Sequence, residues 1–393
     1  MVIGWGLPYV LPVFTLPEPT GKHKVGTQYI HLKTNQFETL TPLADDMREL
    51  MIKVWYPAQL SNEIKETYLN EGDRLGFAKK CGLPEATFDY LDRVTTHTYS
   101  YPEVALGSFP VLIFSPGIYA NASGYYALIE EIVSNGYIVL NINHTYESTG
   151  SLFPDGEIKL YGTEYDKKHN NQKMDEMVWL AMQNYKKASS SDEQYGAIEE
   201  LIRNYIAAEI TLRWSNDISL TLDELEKLNT SSFLANHINI SKIGVFGHSQ
   251  GGAAAGQALL DDNRIQAGIN LDGVQWGPMI DTLLTKPFAL ISSAWDSNHP
   301  DFNTHIYHNG SLSDFYNVKI INSGHSSFMD IPLMINVPLL NEAGTIDPIK
   351  GYKISTEIIL QFFDKYLNDH SLDLLKLNDR HPELEMELLE KTP

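Results

Sequence analysis

Gly247-His248-Ser249-Gln250-Gly251 is the stretch of this chain best suited to covalent chemistry. Before it, Ser241-Lys-Ile-Gly-Val-Phe246 is short, apolar and partly β-branched, which reads as a buried strand. After it, Ala253-Ala-Ala-Gly-Gln-Ala-Leu-Leu260 is small and then apolar, which suits a helix packed closely on a sheet. Strand, G-x-S-x-G, helix is the context of a nucleophile elbow. A serine on so sharp a turn has strained backbone angles, and its neighbours two positions away pass too close for a Cβ. Gly247 and Gly251 remove those clashes, which makes Ser249 the candidate nucleophile. The turn also aims the Gln250 N–H towards the place where an oxyanion forms. Without the chemistry, the same residues would be a glycine-rich turn with Ser249 as a helix cap. Strand, helix and partners together favour the nucleophile.

A serine nucleophile needs a base, and the base needs an orienting acid. His325 follows the apolar run Asn317–Asn322 in the loop Ser323-Gly324-His325, where a base above the sheet belongs. His299, His305 and His308 lie in polar sequence with no strand to place them over Ser249. His248 sits inside the elbow, where its ring cannot turn round to its neighbour's Oγ. Two aspartates compete for the acid. Asp272 ends the run Ile265–Leu271, and Asp296 ends the run Pro287–Ser293. Both loops lie at the carboxyl edge of the sheet, so topology alone does not choose between them. The clean apolar strand before Asp272 favours it, whereas Asp296 sits in the polar run Asp-Ser-Asn-His-Pro-Asp. A second oxyanion N–H is expected from the loop after Phe109–Phe114, at Ile118.

These loops need a rigid sheet beneath them. Phe109-Pro-Val-Leu-Ile-Phe114 leads through Pro116-Gly117 into a helical pattern at Tyr126, Ile129, Ile132 and Val133, then into the strand Gly136–Asn143. That order is a βαβ unit and implies a parallel sheet. The fold class is therefore α/β, with a mostly parallel central sheet flanked by helices. A helical insertion precedes the nucleophile strand: charged helices with apolar stripes replace the β/α rhythm from about residue 151. Ser190 and Glu193 have capping-box spacing at the start of one of them. Residues 1–45 are expected as an extended N-terminal arm and 46–370 as the catalytic fold. Within that fold 151–205 is read as a cap that sets substrate choice, and 371–393 as a loosely held acidic tail. The role of residues 60–100 is not legible.

The formal charge of −21 over 393 residues argues against nucleic acid or an anionic membrane surface as the main partner. A hydrophobic content of 43% supports a large core without staples. Cys81 is the sole cysteine, which excludes an internal disulfide and a cysteine-based zinc site. No metal or cofactor is called for. The apolar start, Met1–Phe14, holds two prolines and no basic residue, too short to span a bilayer and unlike a signal peptide. It leaves cytoplasmic, secreted and tethered placements open, as the sequence does oligomeric state.

Taken in order, Val-Trp-Tyr-Pro near residue 55, Phe-Pro-Val-Leu-Ile-Phe-Ser-Pro-Gly, Gly-His-Ser-Gln-Gly-Gly, Asn-Leu-Asp-Gly, Ser-Gly-His-Ser and Phe-Phe-Asp-Lys-Tyr-Leu resemble the platelet-activating-factor acetylhydrolase family of α/β-hydrolases. The resemblance spans roughly residues 45–370. It implies Ser249 as nucleophile, Asp272 as acid, His325 as base, and the N–H groups of Ile118 and Gln250 as oxyanion donors. One departure is Pro116, where the mammalian plasma enzyme has a histidine; backbone donation survives that change. The expected activity is metal-independent hydrolysis of short or medium acyl esters, the substrate being a small-molecule or lipid ester. A lipase or polyester hydrolase would use the same machinery. A catalytically silent binding protein on the same fold is the alternative from another class.

Overall fold

Phe109–Ser115, Ile138–Asn143, Ala267–Leu271 and Phe288–Ser293 are buried at every position. Strands apolar throughout belong to a parallel sheet covered on both faces. The computed structural model, which describes residues 10–162, 167, 171–294, 302–307 and 310–391, has that sheet at its centre. Its strands are β1 (Lys24–Phe37), β2 (Met47–Gln59), β3 (Thr98–Ser100), β4 (Glu103–Val104), β5 (Phe109–Ser115), β6 (Ile138–Asn143), β9 (Ile238–His248), β10 (Ala267–Leu271), β11 (Phe288–Ser293), β12 (Phe315–Ile320) and β13 (Leu384–Leu388). They lie in the order β13-β12-β11-β10-β9-β5-β6-β2-β1-β3, with β4 beside β2. Pairing is parallel from β6 through β5, β9, β10 and β11 to β12. It turns antiparallel at β2–β6, β1–β2 and β12–β13.

Alternation along each strand divides the core in two. Leu112, Phe114, Ile269 and Leu271 face a layer holding Ile129, Ile132 and Val133 of helix Tyr126–Ser134 and Ile358, Phe362 and Phe363 of helix Pro348–Leu367. Val111, Ile113 and Val245 face the other layer, with Trp214, Ile218 and Leu222 of helix Ile206–Asp223 and Ala254, Ala255 and Ala258 of helix Gln250–Asp261. The sheet is thus clamped on both sides, and its carboxyl edge becomes a fixed platform.

Two stretches differ from the sequence expectation. Residues 24–37, expected within a surface arm, form β1 and pair with β2 from Lys24↔Ala58 to Phe37↔Met47. Gly26, which reads as loop punctuation, marks a close approach instead: a Cβ there would lie 2.4 Å from Pro102 Cγ and 2.8 Å from the Tyr56 ring. Residues 384–388, expected in a loose tail, form the edge strand β13 on β12. Leu374, Leu377, Leu384 and Met386 are buried there. In Leu384-Glu-Met-Glu-Leu388 the apolar positions have the period-2 spacing of a half-buried strand, and the glutamates between them mask it in the composition. β2 also runs past Pro57 to Gln59, beyond the point where its pairing with β6 stops at Trp55. A proline is tolerated where a ladder ends.

The insertion carries a hairpin, β7 (Gly150–Leu152) with β8 (Ile158–Leu160), then helices Gln172–Lys187 and Ser191–Asn204. Ser190 caps the second helix by accepting from the Glu193 N–H. The Glu193 carboxylate accepts from the N–H and hydroxyl of Ser189 rather than from Ser190, so the reciprocal half of the box is displaced by one residue. Tyr185, Ile198 and Ile202 join Ile306 in a small cluster apart from the two main layers. Among the described residues no helix is long and apolar enough to cross a membrane.

The edge strand gives a direct check. Met386→Asp would bury a charge against β12 and should lower unfolding free energy by about 2 kcal/mol or more. Glu385→Lys, on the exposed side of the same strand, should stay within about 0.5 kcal/mol. Chemical denaturation of both variants reads the difference, and equal effects would contradict the pairing.

Candidate active site

β9 ends at His248, helix Gln250–Asp261 begins one residue later, and Ser249 between them sits at φ 56°, ψ −123°. Such a conformation costs a non-glycine residue on the order of 1–3 kcal/mol and persists only where the surroundings enforce it. A Cβ on Gly247 would lie 2.1 Å from the Gly251 carbonyl oxygen, and one on Gly251 would lie 2.0 Å from the Ser115 carbonyl oxygen. The turn is pinned on its other side by the Ser249 N–H, which donates to the Leu271 carbonyl at 2.8 Å. Ser249 is left half-buried at the carboxyl edge of the sheet.

Asp272 lies one residue beyond β10, also in the left-handed region at φ 55°. Its turn is closed by Asn270, whose Oδ1 accepts from the Gly273 N–H at 2.8 Å. The Asp272 side chain is wholly buried, and its oxygens accept from the Ser293 N–H (2.6 Å), the Ser293 hydroxyl (2.9 Å) and His325 Nδ1 (2.7 Å). The His325 side chain stays about one-third exposed. A buried carboxylate on Nδ1 fixes the imidazole with Nε2 as acceptor, the tautomer a base requires. Ser293 has no signal in the sequence beyond ending an apolar strand. Asp296, His299 and His308 lie outside the described residues. His305 is buried beside Tyr185 of the insertion.

The loop Pro116–Ala120 after β5 brings Ile118 alongside the elbow. The N–H groups of Ile118 and Gln250 donate to no described residue. The Gln250 side chain donates to the Ala207 carbonyl (3.0 Å) and the Thr211 hydroxyl (2.7 Å), tying the elbow to helix Ile206–Asp223.

His248 turns away from Ser249 and links the loop to His325. Its Nε2 donates to the His325 carbonyl at 2.9 Å, so its Nδ1 must accept, and the Tyr125 hydroxyl lies 2.9 Å away. The Tyr125 oxygen in turn accepts from the Gly117 N–H at 3.0 Å. Burial, reinforced by the neighbouring His325, holds the His248 ring well below the ordinary imidazole range, so it stays neutral as this pattern demands. The sequence shows only that His248 cannot serve Ser249; its bracing role depends on Tyr125, 123 residues away.

A second Ser–His–Asp set lies below the loop. His144 Nε2 is 2.8 Å from Ser115 Oγ, and His144 Nδ1 is 2.8 Å from Asp217 Oδ2. All three side chains are sealed from solvent. Burial alone would raise the Asp217 carboxyl, but Arg48, bonded to both of its oxygens, holds it at about 2. His144 stacks on Trp214 with ring centroids 3.9 Å apart, and burial lowers its pKa. No ester can reach this set. It fastens the end of β5, and so the loop that carries Ile118, to the start of β2 and to helix Ile206–Asp223.

Ser249 and His325 open into a cavity of about 270 Å³. Its apolar walls include Tyr68, Leu69 and Phe77, from the stretch whose role the sequence leaves open, with Met329, Ile331 and Met334 after His325. Among its described lining residues none comes from the insertion 151–205, which was expected to set substrate choice there. Three insertion residues instead (Tyr161, Gly162 and Tyr205) line a second cavity of about 230 Å³, beside Ile118 and Gln250.

A parallel sheet wrapped by helices, with a serine held on a strand–helix turn at its carboxyl edge, defines an α/β-hydrolase. The chain belongs to the family described as platelet-activating factor acetylhydrolase, isoform II, whose model matches residues 11–381. It is 25% identical over 378 residues to a platelet-activating factor acetylhydrolase of Gallus gallus, covering 90% of this chain and 84% of that protein. It is 24% identical over 280 residues to a probable 1-alkyl-2-acetylglycerophosphocholine esterase of Arthroderma benhamiae, covering 66% of this chain and 59% of that protein. Among solved structures, a ferulic acid esterase from Streptomyces cinnamoneus shares the fold with a TM-score of 0.73 at 23% identity, over 95% of this chain and 99% of that one.

The bracing by His248 is testable. His248→Phe keeps a ring but strands the Tyr125 hydroxyl and the His325 carbonyl, a loss worth about a tenfold to hundredfold effect. On an acetyl ester the loss should fall on kcat with KM changed less than about threefold. His248→Gln, which keeps one donor, should recover part of it. A kcat within twofold of wild type for the Phe variant would leave the relay without catalytic consequence.

Proposed function

We propose that this chain is a serine carboxylic-ester hydrolase acting through an acyl-enzyme. The observation that carries the reading is the 2.7 Å bond from buried Asp272 to His325 at the mouth of the cavity that holds strained Ser249. His325 Nε2 takes the proton from Ser249 Oγ as the oxygen attacks the acyl carbonyl. Asp272 stabilises the imidazolium that forms, and the Ile118 and Gln250 N–H groups receive the oxyanion. The imidazolium then gives its proton to the departing alcohol oxygen. In the second half His325 deprotonates a water, which attacks the acyl carbon; the imidazolium then returns that proton to Ser249 Oγ as the acyl–oxygen bond breaks and the acid leaves.

Short to medium acyl esters are the substrates of this reading, acetyl esters of glycerophospholipids among them. The names of the relatives support the acetyl group, and the apolar cavity beside His325 supports a lipid-like or other hydrophobic alcohol.

Hydrolysis of 4-nitrophenyl acetate and labelling by a fluorophosphonate test this directly. Ser249→Ala should abolish labelling and lower turnover by several orders of magnitude while the fold persists. Asp272→Asn should lower kcat by about a thousandfold or more with little change in KM, and Asp296→Asn should have a modest effect. Turnover within tenfold of wild type in Ser249→Ala would remove Ser249 as nucleophile. The reverse ranking of the two aspartates would move the acid to Asp296.

A further inference from the structure

The second cavity lies beside the first, with Ile118 and Tyr119 contributing to the walls of both. Stereochemistry assigns a side to each. The tetrahedral carbon carries Ser249 Oγ, the oxyanion, the alcohol oxygen and the acyl carbon. The oxyanion lies at the Ile118 and Gln250 N–H groups, and the alcohol oxygen must face His325 to receive its proton. The cavity containing His325 is therefore the alcohol side. The acyl group is left to point past the oxyanion donors, into the cavity that Ile118 and Gln250 line and His325 does not.

Five of the twelve described lining residues of that cavity carry aromatic rings (Tyr119, Tyr146, Tyr161, Tyr205 and Trp276), beside the aliphatic side chains of Ile118, Ile206 and Ile210. Tyr119 and Tyr161 pack at 4.3 Å between centroids with 50° between planes, and Tyr205 and Trp276 at 5.2 Å with 37°. All four line the cavity and are only partly buried. Among the described lining residues the one carboxylate is Glu147, which is engaged by Arg213 and by Trp214 Nε1. Ring faces and edges in such pairs attract another flat ring beyond simple area burial, whereas an alkyl chain gains burial alone. An acetyl group would leave the space largely empty.

We infer that this cavity is an acyl site for a planar aromatic acid, so that the chain hydrolyses aryl-substituted carboxylic esters with the ring on the acyl side. This rests on the ester-hydrolase reading and adds its substrate class. Methyl 3-phenylpropanoate and methyl 3-cyclohexylpropanoate have equal reach and reactivity and differ in ring flatness. The wild type should favour the phenyl ester in kcat/KM by about tenfold or more. The alcohol-side pair, 2-phenylethyl acetate and 2-cyclohexylethyl acetate, should differ by less than about threefold. Trp276→Leu and Tyr205→Leu should bring the acyl-side ratio towards one, and Trp276→Phe should retain most of it. A wild-type acyl-side ratio near one, or aryl preference on the alcohol side instead, overturns the inference while turnover of 4-nitrophenyl acetate keeps the esterase reading. Absence of turnover on every ester, acetate included, overturns that reading and the inference together.

Discussion

Everything at the carboxyl edge depends on the backbone of Ser249 being held at φ 56°, ψ −123°. That conformation exists because three parallel strands finish level with one another. Gly247 pairs with Ser115 on one side, and His248 with Leu271 on the other. The glycines then let the elbow helix pass within backbone contact of β5. The chain emerging from β5 becomes the loop that carries Ile118, and the residue after β10 is Asp272. Strain at one serine and placement of its partners are thus one fact about strand register. A register slip of one residue would turn every side chain on the slipped strand to the opposite face and unmake both.

The two Ser–His–Asp sets show how little residue type alone decides. Ser115, His144 and Asp217 meet at 2.8 Å, much as His325 meets Asp272, yet they are dry, and Arg48 fixes the acid. A buried neutral histidine between a hydroxyl and an ionised carboxylate is a stiff tie. The same set beside a cavity is a reaction centre once a substrate carbonyl can reach the hydroxyl. Burial separates the two, and burial is a property of the whole fold.

Local pattern explains what could be read in the sequence. The elbow carries its own strand, glycines and helix within some twenty residues, and Asp272 directly follows an apolar strand. Asp272 and Asp296 both follow such strands, and the clean apolar run before Asp272 favours it; Asp272 lies 2.7 Å from His325 Nδ1, while Asp296 falls outside the described residues. What escaped depends on distant partners. β1 was hidden because Gly26 is required by Pro102 and Tyr56 rather than by a turn. β13 was hidden because its glutamates face water. Tyr68, Leu69 and Phe77 line the cavity at Ser249 and His325, and Tyr119, Tyr161, Tyr205 and Trp276 line the other. Those four rings of the second cavity come from four separate stretches with no shared spacing, so no single-sequence pattern unites them.

The link from Gly117 through Tyr125 and His248 to His325 has a consequence for proton order. Its two ends have fixed polarity: an amide N–H can only donate and a carbonyl can only accept. Between them only one arrangement of the Tyr125 and His248 protons satisfies every bond. Chains of hydroxyls or waters commonly have two such arrangements of similar energy and can invert, carrying a proton from end to end. This one has a single ground state and cannot invert. In the proposed cycle the His325 ring alternates between neutral and cationic twice per turnover, a few ångströms from a neighbour that has no second state to adopt. The loop that receives the oxyanion is therefore electrically quiet on its inner side through both half-reactions, and no reset separates one from the next.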